Sequence, residues 1–191
     1  MDTENNISRD IRKEFFAFRN GIVAEKLRKA GDPHGMIMGC LLSDLMGIAQ
    51  RVKADVGDEV TLATIASELW SDTNSRECRL TAPMLYPATL MSAGQALQWC
   101  QSVETTEVAD NLCHKLLRHI DGSNAIFRQL ISQDKPLLKY TGYRLLLNLL
   151  LLNKVQRDAS LRSVVENEAA TASSPLNQLL GDILEELDEV N

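Results

Sequence analysis

Apolar residues return every three or four positions along most of the chain, and no stretch alternates long enough to suggest a sheet. Ile11, Phe15, Phe18 and Ile22 share one helical face behind a capping Ser8, which predicts a first helix over about residues 8–29, bent at Asn20-Gly21. GDPHG at 31–35 ends it, and Leu41, Leu45, Ile48 and Val52 predict a second helix that stops at ADVGD. A third opens near Asp58 with Leu62, Ile65, Ala66, Leu69 and Trp70 as a broad stripe. It stops at SDTN, where Asn74 and Glu77 read as a capping-box variant that starts a fourth helix. That helix turns Cys78, Ala82 and Leu85 inward and is kinked by Pro83.

The pattern then begins again. Ala93, Ala96, Leu97 and Cys100 form one face; Thr105 caps a helix burying Ala109, Leu112, Cys113, Leu116, Leu117 and Ile120. Ser123 caps a short helix with Ile126, Phe127, Leu130 and Ile131, and Pro136 opens a very apolar helix to Leu152. A weaker helix with Leu161, Val164 and Val165 leads through ATASSP to a last one, 175–190, with Leu176, Leu179, Leu180, Ile183, Leu184 and Leu187 on one side and acids elsewhere.

Shifting Leu69–Leu85 forward by 31 residues lays Ser71 on Ser102, Ala82 on Cys113 and Leu85 on Leu116; a shift of 61 lays them on Ser132, Tyr143 and Leu146. A helical pair recurring at about thirty residues predicts an all-α fold, a right-handed α-solenoid of HEAT-like two-helix repeats with about ten helices. Residues 1–172 form the repeat domain. Residues 173–191 form an acidic amphipathic helix that caps the same domain.

Composition narrows this only a little. With 45% hydrophobic content, 191 residues can bury one continuous core. Cys40, Cys78, Cys100 and Cys113 each lie within an apolar helical pattern and have no zinc spacing, so they read as free, buried thiols in a reducing compartment. MDTENNISRD has no apolar core, which predicts no signal peptide, and Leu145–Leu152 is too short to span a bilayer; a cytoplasmic protein without membrane association is expected. The net charge of −6 is uneven: residues 158–191 carry one basic and eight acidic side chains, while 104–157 carry eight and five. The bulk charge therefore does not argue against a polyanion partner.

Candidate chemistry is sparse. Asp110, His114 and Arg118 follow i, i+4, i+8 spacing, either a catalytic carboxylate with neighbours or a solvated charged stripe. Trp70 and Trp99 end the first helices of successive repeats and read as packing residues between repeats, with Trp99 also a candidate for the concave face. His34 and His119 have no helical partner at metal spacing; no metal and no cofactor is expected.

IASELWSDTNSRECRLTAPML and LQWCQSVETTEVADNLCHKLL, followed by the Leu-rich repeat, resemble successive helical pairs of the HEAT-like bacterial DNA alkylation-repair family of the AlkD type, nearest a short, divergent Bacteroides-like branch. Leu69, Trp70, Glu77, Cys78 and Arg79 match one repeat, and Trp99 the start of the next. The resemblance covers about residues 10–155. It implies a concave face that holds duplex DNA and a metal-free glycosylase chemistry on 3- or 7-alkylpurines, carried by an aromatic residue, a carboxylate four residues later, and an Arg in the following repeat. Asp110 matches the carboxylate, Thr106 stands at the aromatic position, and Leu137 or Leu138 with Lys139 and Tyr140 replace the Arg-bearing segment. A threonine offers no π face, and lysine lacks the bidentate fork of arginine.

The expectation is a nucleic-acid-binding member of this fold with weak or absent glycosylase activity. Asp110 is the one catalytic candidate. Arg118, Arg128, Lys135, Lys139 and Arg144 form the basic face, and Trp99, Thr106 and Tyr140 are candidates for the concave surface. Duplex DNA is the expected partner; the alternative is a non-enzymatic scaffold that holds a protein or peptide. A monomer is the default.

Overall fold

The computed structural model describes residues 2–189; the expected end of the last helix at Val190 lies outside the described residues. Packing divides the chain into two units, residues 1–92 and 93–191. In the first are α1 (Asp2–Ala17), α2 (Gly21–Lys29), α3 (Leu42–Val56), α4 (Glu59–Ser71) and α5 (Arg76–Leu85). The second holds α6 (Ala93–Gln101), α7 (Thr106–Lys115), α8 (Ser123–Ile131), α9 (Pro136–Leu151), α10 (Ala159–Ala169) and α11 (Leu176–Asp188). The fold is all-α, and a single bridge, Met36 to Ser75, is the nearest thing to a strand among the described residues.

In the first unit the chain departs from its pattern at the start and in the middle of the expected first helix. Asn20 is extended, and its side chain accepts the Val23 amide at 3.2 Å, so it starts α2 as a separate helix instead of bending a long one. Ile11 and Phe15 are buried, but Phe18 is exposed and Ile22 is 71% exposed. Ser8 does not cap; it is buried inside α1 and donates to Glu68 Oε2 at 2.6 Å. Asp58 caps α4 through the Thr61 amide.

α5 is the centre of this unit, with α3 and α4 packed on it and α1 against both of those. All ten of its residues are buried, including Arg76, Glu77 and Arg79. Its cap is Ser75, which accepts the Cys78 amide, and not the expected Asn74. Glu77 is thereby released from capping and turned onto the 38–40 loop. Arg79 lies 3.6 Å over the Trp70 ring and donates to the Trp70 carbonyl at 2.7 Å, so this contact of the tryptophan joins the two helices of one pair, α4 and α5, through a buried cation, where packing between repeats was expected.

In the second unit like helices stack on like: α6 on α8, α7 on α9, α9 on α11. The repeat read from the sequence has a local cause. Ser71, Ser102 and Ser132 each end the first helix of a pair, and each hydroxyl donates to the carbonyl three residues back, at 2.7, 3.0 and 2.9 Å. The equivalent apolar positions Ala82, Cys113 and Tyr143, and Leu85, Leu116 and Leu146, are all buried. Thr105 caps α7 as expected. Before α8, however, the N-cap is Gly122 at φ +75°, and Ser123 makes no capping bond. All four cysteines are free and buried.

The apolar face of α11, Leu179, Leu180, Ile183 and Leu187, is buried, with α9 and α10 as its neighbours. Glu186 and Asp188 pair with Arg157 and Arg162. Gly142 sets how closely α9 approaches α8, because a Cβ there would sit 2.8 Å from Leu130 Cβ and 2.9 Å from the Ile131 amide nitrogen. Gly142→Ala is expected to destabilise the protein by about 1–3 kcal/mol, read as a lower urea midpoint at unchanged m-value. No described helix is long and apolar enough to cross a membrane.

Candidate nucleic-acid interface

The stacking of α7 on α9 brings residues of adjacent repeats together. Asp110, in the second turn of α7, meets two side chains one helical turn apart on α9. Tyr140 donates its hydroxyl to Asp110 Oδ1 at 2.9 Å, and Arg144 Nε lies 3.1 Å from the same oxygen as an ion pair. Oδ2 accepts no hydrogen bond among the described residues. The carboxyl stays partly open, with 37% of its side chain exposed.

Burial pushes the Asp110 carboxyl above its ordinary value; Arg144 and the Tyr140 hydroxyl oppose that push, and Glu107 adds to it. Burial and the Asp110 charge raise the Tyr140 phenol. Because the folded-state value of Asp110 lies above the unfolded one, its protonated form favours folding at acid pH, and this is lost as pH rises through the folded value. At neutral pH the ionised carboxylate is a net cost. Asp110→Asn, which keeps an acceptor for both partners, is therefore expected to raise stability at pH 7, by no more than about 1 kcal/mol given the exposure. Denaturant titration at pH 7 and at pH 4 checks the sign, since the gain should shrink at the lower pH.

The five expected phosphate ligands do not act alike. Arg144 is engaged by Asp110. Lys139 is held by Glu168 of α10, at 2.9 and 3.0 Å to the two carboxylate oxygens. Arg118 lies beyond the end of α7, so the i, i+8 stripe does not form; its Nε donates to His119 Nε2 at 3.1 Å. His114 instead faces Asn148 at 3.3 Å, its pKa lowered by burial and by Arg118. Arg128 is exposed over Phe127, and Lys135 is exposed at the start of α9 with no acidic partner among the described residues. Three cations thus remain without a carboxylate: Arg118, Arg128 and Lys135.

Of the aromatic candidates, Trp99 is 6% exposed and belongs to the core, whereas Tyr140 reaches Asp110. Thr106, one turn before Asp110, lines a cleft of about 340 Å³ with Lys139, Tyr140 and Glu168. The sequence reading missed Glu168 altogether. The repeat spacing contained the signal, since Asp110 to Tyr140 and Lys139 to Glu168 are 30 and 29 residues apart. No group of three or more potential metal ligands occurs among the described residues.

A stack of helical pairs presenting one partly buried carboxylate, with an arginine and a tyrosine from the next repeat upon it, is a helical-repeat protein with a polar site on its second helices. The profile of the family described as DNA alkylation repair enzyme matches residues 11–173, and the chain belongs to that family. No characterised protein and no solved structure matches it significantly.

Proposed function

We propose that the second unit binds duplex DNA, with Arg118, Arg128 and Lys135 on phosphates and Asp110 as the group that meets positive charge on an alkylated base or on the sugar it leaves. The observation that carries this reading is the Asp110–Tyr140–Arg144 cluster in a chain of the DNA alkylation repair family. Both partners sit on Oδ1, which leaves Oδ2 for a cation. Tyr140 brings an aromatic ring that Thr106 does not supply, but its hydroxyl is committed to the carboxylate and its ring is largely buried. Catalysis is accordingly weak. α11 serves as the cap of the last repeat, a role supported by its buried leucines.

Methylated duplex DNA incubated with a tenfold excess of protein, with released bases separated by chromatography, tests the chemistry. Slow release of alkylpurine that disappears in Asp110→Asn is expected. Release that persists in that variant would remove Asp110 from the reaction.

Use of the same fold as a protein-binding scaffold draws its support from the first unit, where Phe16, Phe18, Ile22, Leu41 and Leu42 are exposed. Absence of DNA affinity at low salt would favour that use instead.

A further inference from the structure

Past the end of α7, the turn Leu117–His119 lies against α9, and four basic side chains gather where the chain leaves that helix. Lys154 Nζ donates to the Arg118 carbonyl at 2.8 Å, and the Lys154 carbonyl is itself held by the Asn124 amide at 3.0 Å. Arg118 Nε donates to His119 Nε2 at 3.1 Å, which leaves both terminal amino groups of the arginine without an acceptor among the described residues. His114, one turn earlier, is exposed and lies within the field of Arg118. No carboxylate pairs with any of the four among the described residues. Asp110, the acid one turn before His114, is held by Tyr140 and Arg144, and Asp121 stands exposed in the following turn without an ion pair. A cluster of cations with open donors and no acid suits an anion.

The hydrogen bonds also decide which ring nitrogen can serve that anion. Asn148 spends its amide nitrogen on the Arg144 carbonyl at 2.8 Å, so its oxygen faces His114 Nδ1 at 3.3 Å and that nitrogen carries the hydrogen. Neutral His114 therefore presents Nε2 as a lone pair, and only the imidazolium donates there. His119 is the reverse: its Nε2 accepts from Arg118, so its Nδ1–H is a donor without protonation. Burial and the charges of Arg118, Lys115 and Arg144 hold His114 below the ordinary imidazole value, against the Asn148 bond. An anion that neutralises Arg118 removes part of that opposition.

We infer that His114, Arg118, His119 and Lys154 form one site for a phosphodiester group of bound DNA, and that His114 takes up a proton from solvent when the site fills. The inference rests on the DNA-binding reading above and adds His114, His119 and Lys154 to it. Arg118 and Lys154 share a single phosphate, so the number of phosphates neutralised stays at three, the other two lying on Arg128 and Lys135. Because the bound form holds the His114 proton more tightly than the free form, affinity rises as pH falls through the bound-state value and levels off below the free-state value.

The test titrates a fully paired DNA hairpin with the full chain near pH 7.5 and near pH 5.5 at one low salt concentration. The unaltered chain is expected to bind about fivefold more tightly at the lower pH, the upper end for one exposed ion pair. His114→Gln should flatten the profile, whereas Asp110→Asn, which removes the other carboxyl or imidazole near the site with a displaced value, should keep it. Near pH 7.5 the pair Arg118→Gln with Lys154→Gln should move the log–log salt slope from about −2.7 to about −1.8, the loss of one phosphate. Helical circular dichroism and the unfolding midpoint establish that each variant is folded. A pH dependence that survives in His114→Gln would overturn the site, as would a loss of two phosphates from the paired variant. Salt-sensitive binding of the unaltered chain with no pH dependence would overturn the site and leave DNA binding standing. No affinity at either pH would overturn both.

Discussion

Replacing Glu77 by alanine is expected to destabilise the first unit by about 3–5 kcal/mol, the scale for removing one partner of a buried charge cluster. The side chain is fully buried, and its two oxygens organise four donors. Oε1 accepts the amides of Gly39 and Cys40 at 2.9 and 3.3 Å, Oε2 accepts that of Met38 at 3.1 Å, and Arg76 donates to Oε1 at 2.9 Å. Arg76 in turn donates to the Cys40 carbonyl. Alanine would take the Glu77 carboxylate away from a buried guanidinium and from three backbone amides at once. The loop could not move aside cheaply, because Gly39 sits at φ +76° and packs so closely on α2 that a Cβ added to it would lie 2.2 Å from the Asn20 carbonyl oxygen. Against a total stability of about 5–15 kcal/mol, such a loss approaches unfolding. Glu77→Gln keeps one acceptor and the shape but not the charge, and should lose less. If Glu77→Ala moved the urea midpoint by no more than a surface substitution does, the carboxylate would be incidental to the loop.

The same residue shows what could be read from the chain and what could not. Glu77 three residues after Asn74 looks like a capping box, and local spacing alone gives no reason to prefer another reading. Its real partners are the amides 37 to 39 residues earlier, in a segment that carries no periodic signal. Buried Arg79 was hidden for a similar reason, since an arginine in a polar turn reads as solvated until a tryptophan is found beneath it. Periodicity served well wherever neighbours are local or repeat-related. Asp58, Thr105 and Pro136 stand where the pattern put them, and contacts at 29 or 30 residues recur from Glu59–Thr89 to Arg157–Glu186. For the candidate site the carboxylate was legible and its partners were half so. Arg144 and Tyr140 were both picked out, one as a phosphate ligand and one as a concave-surface residue, but their convergence on one oxygen of Asp110 required the stacking of α7 on α9.

Affinity for matched duplex DNA is expected to fall about 40-fold between roughly 50 and 200 mM salt, because three cations without a carboxylate give a log–log slope of about −2.7. This is the largest functional effect the charge arrangement implies, and it follows from which cations are already engaged. Counting all five basic residues would give a slope near −4.5. Lys139 is bound to Glu168 and Arg144 to Asp110, however, and a lysine that exchanges one oxyanion for another releases no net counterion. Glu168→Gln removes the internal competitor and is expected to steepen the slope to about −3.6, a fall of about 150-fold over the same range. Adding Lys139→Ala to that variant should return the slope to its starting value, whereas Lys139→Ala alone should leave it nearly unchanged. Fluorescence anisotropy across a salt series reads all four proteins. A slope near −4.5 in the unaltered chain would mean that Lys139 and Arg144 are not held by Glu168 and Asp110 in solution, and a slope near zero would mean that phosphate recognition is no part of what this surface does.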